Sequence, residues 1–384
     1  MKSRLVIENW VNIIAMLLLT LVGIACMWSI IPSPAGVFES HQQITSGILM
    51  RMLSFQPAKQ TLFAVLSLLV FMLILKINYY KLKDYSWFMY FGCLLLLVGL
   101  LVLGRFIQGS RRWFSLGPIA FQPSEFMKIA TVFVIAQIIM HKQNLNRLGG
   151  LIIPFILTVI PMGLILLQPD LGTSLLFMPA LFMMLFVGGA RLKYLIIAIA
   201  LIILSFPAAY MWGLKDYQRA RLKVFIDPSK SPSSDGYQLL SSRTAVGAGG
   251  FLGHNWGGNE NATSVFVPER HNDFVFTIIA EEWGFIGASA VIVLYFILLI
   301  SALLIAATTR EPFGRLTIVG LATILTIQIS INIGMTIGLA PVTGMTLPFV
   351  SYGGSSLLSS FIIVAIINNI RMRQLPSFAY GDFE

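Results

Sequence analysis

Arg111, Arg112, Glu125, Lys128, Asp170 and Asp273, with the Pro-, Gly- and Ser-rich stretch 341–356, are the residues of this chain whose types could do chemistry. Each lies at or beside the end of an apolar segment, where an ionisable group is costly and marks function by default. A carboxylate at a partly dry interface can serve as a general base. Guanidinium groups suit phosphate recognition. Amide and hydroxyl donors at a helix start suit an anion. Gathered on one membrane face, such groups form an active site for an anionic substrate.

Asp273 stands in the run Val267 to Phe274 (VPERHNDF). Pro268 and the polar residues hold off a helix until Asn272, a good N-cap type, which puts Asp273 in the first turn. There it either complements the helix dipole or acts as the base. Arg270, His271, Glu281 and Glu282 crowd the same region. At about 100° per residue, the two glutamates cannot both share the face of Asp273.

In QPSEFMK (Gln122 to Lys128), Pro123 suits a first helical turn, and Glu125 and Lys128 are an i,i+3 pair on one face. The pair either satisfies itself inside the bundle, or Lys128 also reaches a phosphate or orients the catalytic acid. Upstream, GSRRWF sets Arg111 and Arg112 beside Trp113, which is equally an interfacial anchor. In QPDLGT, Pro169 and Gly172 flank Asp170 at a tight re-entry, where it caps the next helix or lines the cavity. From Asn332 to Ser356 the Gly and Pro content requires irregular backbone at membrane depth, tolerated only when buried in protein or lining a cavity. Ser351, Gly353, Gly354 and Ser355 end that stretch at a helix start, an anion site or merely a plug.

The elements that must position these residues are membrane spans. Of the 384 residues, 57% are hydrophobic and 11% charged, against about 25% charged in soluble domains. Apolar stretches near the ~20 residues that cross a bilayer recur at 10–31, 58–77, 85–104, 123–141, 148–168, 170–189, 193–213, 273–308, 316–339 and 353–371. This predicts an all-α integral membrane protein of ten spans, one polytopic domain over residues 1–384, with a single long outer loop at 214–272. The first run is too long for a signal peptide and is an uncleaved span.

Lys2, Arg4, Lys76, Lys81, Lys83, Lys142, Arg147, Arg191, Lys193, Arg310, Arg315, Arg371 and Arg373, half of the 26 basic residues, fall in alternate connections. Basic short loops stay inside, so both termini are cytoplasmic and the functional residues face out. The net charge of +10 follows largely from this rule, and nucleic acid need not be a partner. The long loop carries Arg219, Arg221, Arg243, Arg270 and three lysines, a solvated set or a clamp for an anionic ligand. Cys26 and Cys93 both sit inside spans, so neither a disulfide framework nor a thiolate metal site is indicated. The Asn261-Ala262-Thr263 sequon is too short a pattern to carry weight. There is no Walker loop, dinucleotide fingerprint or HExxH. An outward site lacks ATP in any case, so its substrate must arrive already activated.

Five motifs in order resemble the SEDS family (shape, elongation, division and sporulation) over nearly the whole chain. They are GSRRW, FQPSEFMK, LQPDLGTS, PERHNDFVF with AEEWG, and the stretch from Asn332 through Pro341 and Gly344 to Ser351–Ser356. LQPDLG and Glu269-Arg270-His271 look more like the elongation branch than the division branch. The segment HNWGGNENATSVF departs from the pattern and carries no residue assignment.

The resemblance implies a peptidoglycan glycosyltransferase that polymerises lipid II on the outer face of the cytoplasmic (inner) membrane. Asp273 would be the essential acid. Arg111, Arg112, Glu125, Lys128, Asp170, Arg219, Arg221, Arg270, His271, Ser351, Gly353, Gly354 and Ser355 would form the substrate site. No protein metal site is implied, although a divalent cation (Mg or Mn) would share in neutralising the pyrophosphate. A class B penicillin-binding protein and other elongation-complex membrane proteins would be partners. Two alternatives stay open, a lipid II flippase and a non-catalytic scaffold.

Overall fold

The computed structural model describes residues 2–29, 55–103, 112–116, 119–141, 145, 147–213, 215–228, 235–254 and 271–373. The first half contains α1 (Lys2–Ser29), α2 (Gln56–Lys76), α3 (Tyr79–Asp84), α4 (Ser86–Leu103), strands β1 (Phe114–Leu116) and β2 (Ile119–Phe121), α5 (Pro123–His141) and α6 (Leu148–Leu167). Then come α7 (Leu171–Leu175), α8 (Phe177–Val187), α9 (Leu192–Ala208), α10 (Asp216–Ile226), α11 (Asp235–Ala248), α12 (Val275–Thr308), α13 (Pro312–Ile337) and α14 (Gly354–Met372).

Among the described residues seven helices are long and apolar enough to cross a membrane, and three shorter apolar ones supply the remaining spans of ten. Each of these falls on a segment the hydropathy predicts. The chain is a multi-pass membrane protein. Its enclosed helices are the ones that carry polar groups. The apolar windows of α5 and α14 are 78% and 83% buried, against 28% for α2. α14 packs on α2, α1 on α12, and α13 against α5, α8 and α12, which closes one large apolar core.

Four details depart from the sequence expectation. The connection at 114–121 is a short antiparallel hairpin, Phe114 pairing with Phe121, within the all-α membrane fold. The sixth span breaks at Leu176 into α7 and α8. The outer loop contains α10 and α11, and α11 packs on α12 and α13. Ser242 Oγ on α11 lies 2.6 Å from Thr277 Oγ1 and donates to the Thr336 carbonyl at 2.8 Å. Arg243 Nη2 donates to the Gly338 carbonyl at 2.7 Å, the favourable end of α13 for a cation. Fourth, α12 starts at Val275 with Phe274, not Asn272, in the N-cap position, so Asp273 precedes the helix.

A kink in α12 anchors the loop. Gly284 adopts φ 63°, a conformation that glycine alone takes without cost. The Glu281 carbonyl, freed from the helical ladder, accepts from His254 N at 3.1 Å, while Phe285 N donates to the Gly250 carbonyl at 3.0 Å. A Cβ on Gly284 would lie 2.3 Å from Gly253 N. The backbones touch there.

Candidate active site

The stretch between α13 and α14 re-enters the bundle without regular structure, and side chains from three helices satisfy its backbone. Tyr295 Oη donates to the Pro348 carbonyl at 2.6 Å and Gln328 Nε2 to that of Thr346 at 3.0 Å. Asn332 Nδ2 donates to that of Met345 at 2.6 Å. Gln60 from α2 donates to the Ser351 carbonyl at 3.2 Å and accepts from Gly353 N at 3.3 Å. An irregular segment at membrane depth requires this kind of internal satisfaction.

Asp273 is half-buried in the turn before α12. That turn is stitched to the re-entrant segment rather than wound into the helix. Asn332 Nδ2 also donates to the Asp273 carbonyl at 2.9 Å, and Tyr352 N donates to the carbonyl of His271 at 3.0 Å. The two carbonyls fix the Asn332 amide, whose buried Oδ1 has no protein donor among the described residues. The carboxylate lies against Gly344, where a Cβ would sit 3.4 Å from Oδ2 and where φ is 72°. The His271 ring is edge-on to Tyr352, centroids 6.0 Å apart. The main chain of Asp273 is thus fixed on the re-entrant segment, and its carboxylate faces Gly344.

Glu125 and Lys128 form the pair their spacing predicts, Nζ to Oε2 at 2.8 Å, both buried. Ser359 on α14 also donates to Glu125 Oε2. The Lys128 ammonium points into the bundle and donates to Gln328 Oε1 at 3.0 Å, so it offers no exposed charge to a phosphate. The self-satisfied reading fits, and the pair acts from behind the site.

At the same end of the bundle lies a polar rim. Asp170 Oδ1 accepts from Thr173 N at 3.1 Å as the N-cap of α7. Its Oδ2 accepts from Thr173 Oγ1 at 2.9 Å and from Gln122 Nε2 at 3.3 Å. Arg112 grips the preceding turn, Nε donating to the Gln168 carbonyl at 3.1 Å and Nη2 to that of Pro169. Above them stands Tyr217 of α10. Burial pushes its phenol up, opposed by the positive charges of Arg112 and Arg221 and aided by Asp170. α10 therefore brings Tyr217 within electrostatic reach of Arg112 and Asp170. Arg219, two residues along, points elsewhere, donating to the Met211 carbonyl at 2.7 Å and lying 3.9 Å from Asp216. Arg111 and Arg270 lie outside the described residues.

The helix start at α14 differs from the expected anion cradle. Ser351 Oγ accepts from Leu347 N at 2.8 Å. Ser355 Oγ donates to the Ala120 carbonyl and accepts from Gln122 N, both at 3.1 Å, tying β2 to α14. Gly353 N is taken by Gln60, and Gly354 packs against the Phe63 ring. These residues build the wall of the site, because buried donors must be satisfied internally. Sequence reasoning missed Gln60, Gln122, Tyr217 and Gln328. The available signal was Gln328 four residues before Asn332, two amides on one face of an apolar span.

The chain matches the FtsW/RodA/SpoVE family model, described as cell cycle protein, over residues 9–375. The chain belongs to this family, the SEDS proteins. It is 37% identical over 287 residues to the peptidoglycan glycosyltransferase MrdB of Escherichia coli K12, covering 74% of this chain and 78% of that one. It is 27% identical to the peptidoglycan glycosyltransferase RodA of Treponema pallidum, covering 96% and 98%. Among solved structures it resembles a chain from a peptidoglycan synthase complex that coordinates polymerization and crosslinking, with a TM-score of 0.79 at 31% identity over 94% of this chain and 97% of that one. It also resembles the rod shape determining protein RodA of Thermus thermophilus, with a TM-score of 0.68 at 27% identity over 96% and 97%.

Proposed function

We propose that this chain is a peptidoglycan glycosyltransferase that polymerises lipid II at the outer face of the cytoplasmic membrane during cell elongation. Glycosyltransfer itself is the activity named for its SEDS relatives. The observation that carries the residue-level reading is Asp273, half-buried, held through its main chain and set against Gly344.

Asp273 takes the proton from the acceptor sugar hydroxyl. The oxygen attacks the anomeric carbon of the donor, the bond to the diphosphate oxygen breaks, and undecaprenyl pyrophosphate departs. One displacement inverts the α-linked donor to a β-1,4 product and needs one base. The N–H groups that Arg112 does not spend on the Gln168 and Pro169 carbonyls, with Arg221, neutralise the departing diphosphate. Among the described residues no three His, Cys, Asp or Glu side chains gather to hold a metal ion. A Mg or Mn ion, when bound, would share in neutralising the diphosphate.

A class B penicillin-binding protein is the proposed partner, supported by the likeness to a synthase-complex chain. Other elongation-complex membrane proteins would join them. The test is incubation of the purified full-length chain and that partner with lipid II, reading glycan strands. Failure of the folded complex to lengthen them would overturn the assignment in favour of flipping or scaffolding.

Orientation has its own test. In a Cys26→Ala, Cys93→Ala background, Leu339→Cys, beyond the C-terminus of α13 and 76% exposed, should label with an impermeant thiol reagent from outside. Arg310→Cys, on the basic face, should label only after permeabilisation. The reverse pattern would put Asp273 in the wrong compartment.

A further inference from the structure

We propose that Gln328 is a positioning residue for this reaction, coupling the buried Glu125–Lys128 pair to the segment that faces Asp273. The proposal rests on Asp273 being the base. The connection is continuous. Lys128 bridges Glu125 Oε2 at 2.8 Å and Gln328 Oε1 at 3.0 Å, and Gln328 Nε2 donates to the Thr346 carbonyl at 3.0 Å. Thr346 is two residues from Gly344, against which the Asp273 carboxylate lies.

The chemistry of the groups sets the direction of this chain. A lysine ammonium is a donor only, whereas an amide has a donor end and an acceptor end. Lys128 therefore claims Oε1 and turns Nε2 toward the re-entrant segment. One helical turn further along α13, Asn332 holds the adjacent Met345 carbonyl and the Asp273 carbonyl. Two amides on one helix face thus hold the backbone on both sides of the carboxylate. Asn332 and Gln328 hold two consecutive carbonyls just after Gly344, with the Thr346 side chain also 2.6 Å from Ser356 Oγ, and the second anchor point fixes the orientation of that backbone. Lys128 keeps the Gln328 amide from flipping. Gln328 is buried deep in the bundle, so it positions and does not touch substrate.

The test uses purified full-length protein with its transpeptidase partner and initial rates over a range of lipid II concentrations. The variants are Gln328→Met, Gln328→Glu and Asp273→Asn, with Tm measured for each. Methionine keeps the length and volume of the side chain but neither hydrogen bond. Glutamate keeps the acceptor for Lys128 and loses the donor to Thr346. Both should lower kcat by ~10- to 100-fold, the scale of a misplacement of about an ångström. KM should stay within about twofold, since the lost interaction serves the transition state, and each variant should remain folded at the assay temperature although the unpaired buried groups lower its Tm. Gln328→Asn, one methylene short of bridging both partners, should lower kcat in the same way and replaces the methionine variant should that one not fold. Wild-type kcat in Gln328→Glu would overturn the proposal, because accepting from Lys128 would then suffice. So would a loss carried by KM, or one accounted for by the fraction unfolded at the assay temperature. If Asp273→Asn polymerises normally, the base assignment itself fails. If Asp273→Asn is inactive while Gln328→Met turns over at the wild-type rate, only the positioning role fails.

Discussion

Asp273→Asn is expected to reduce lipid II polymerisation by about 10²–10⁴-fold, the usual cost of losing a general base, while folding and partner binding survive. The main chain of this residue carries structural attachments of its own. Its carbonyl accepts from Asn332 and its turn is tied to Tyr352 through His271, none of which an Asp-to-Asn exchange touches. The carboxamide is nearly isosteric and still fits against Gly344. What it loses is the ability to accept a proton. Strand length by gel electrophoresis, beside thermal unfolding, checks this. Near-normal strands from the folded variant would end the catalytic assignment and bring back the flippase and scaffold readings.

Glu125→Ala and Lys128→Ala should each destabilise the protein strongly, and the double variant should be far less than additively worse. Lys128 is 1% exposed and Glu125 5%. Removing one partner of a buried pair leaves the other charge uncompensated, typically at ~3–5 kcal/mol. Lys128→Ala leaves Glu125 with the Ser359 hydroxyl; Glu125→Ala leaves Lys128 with Gln328. Neither neutralises a charge. Removing both relieves the penalty, and the coupling energy from the four-variant cycle measures it. Unfolding by heat or denaturant for all four proteins decides the matter. Full additivity would mean that the two groups do separate work.

Much of the architecture was legible in the residues. Hydropathy placed all ten spans, because a bilayer demands a minimum apolar length and an internally bonded backbone. Pro123 opens α5, and the i,i+3 pair behind it forms as spacing requires. Asp170 caps α7, one of the two roles its neighbours allowed. Errors gathered at element ends and in the loop. Asn272 is a good cap by type, yet Asn332, far along the chain, takes the carbonyl of Asp273 and holds the turn off the helix.

By itself the sequence determined which segments span the membrane, which alternate connections carry the basic residues, and which side chains are costly enough to demand a purpose. All three depend on composition and on contacts within one or two helical turns. Only the tertiary structure decided who partners whom. It sent Lys128 inward to Gln328 and committed Ser351 and Ser355 to the wall. It brought Tyr217 near Arg112 and Asp170, committed Arg219 to the Met211 carbonyl, and set Gly344 against Asp273. Those outcomes depend on helix packing and on where an irregular segment finds donors for its carbonyls. Hydrogen bonds between residues tens to hundreds of positions apart, such as Gln60 to Ser351, leave no local signature in the chain. The chemistry was visible as residue types, and the geometry that makes it a site came from the fold.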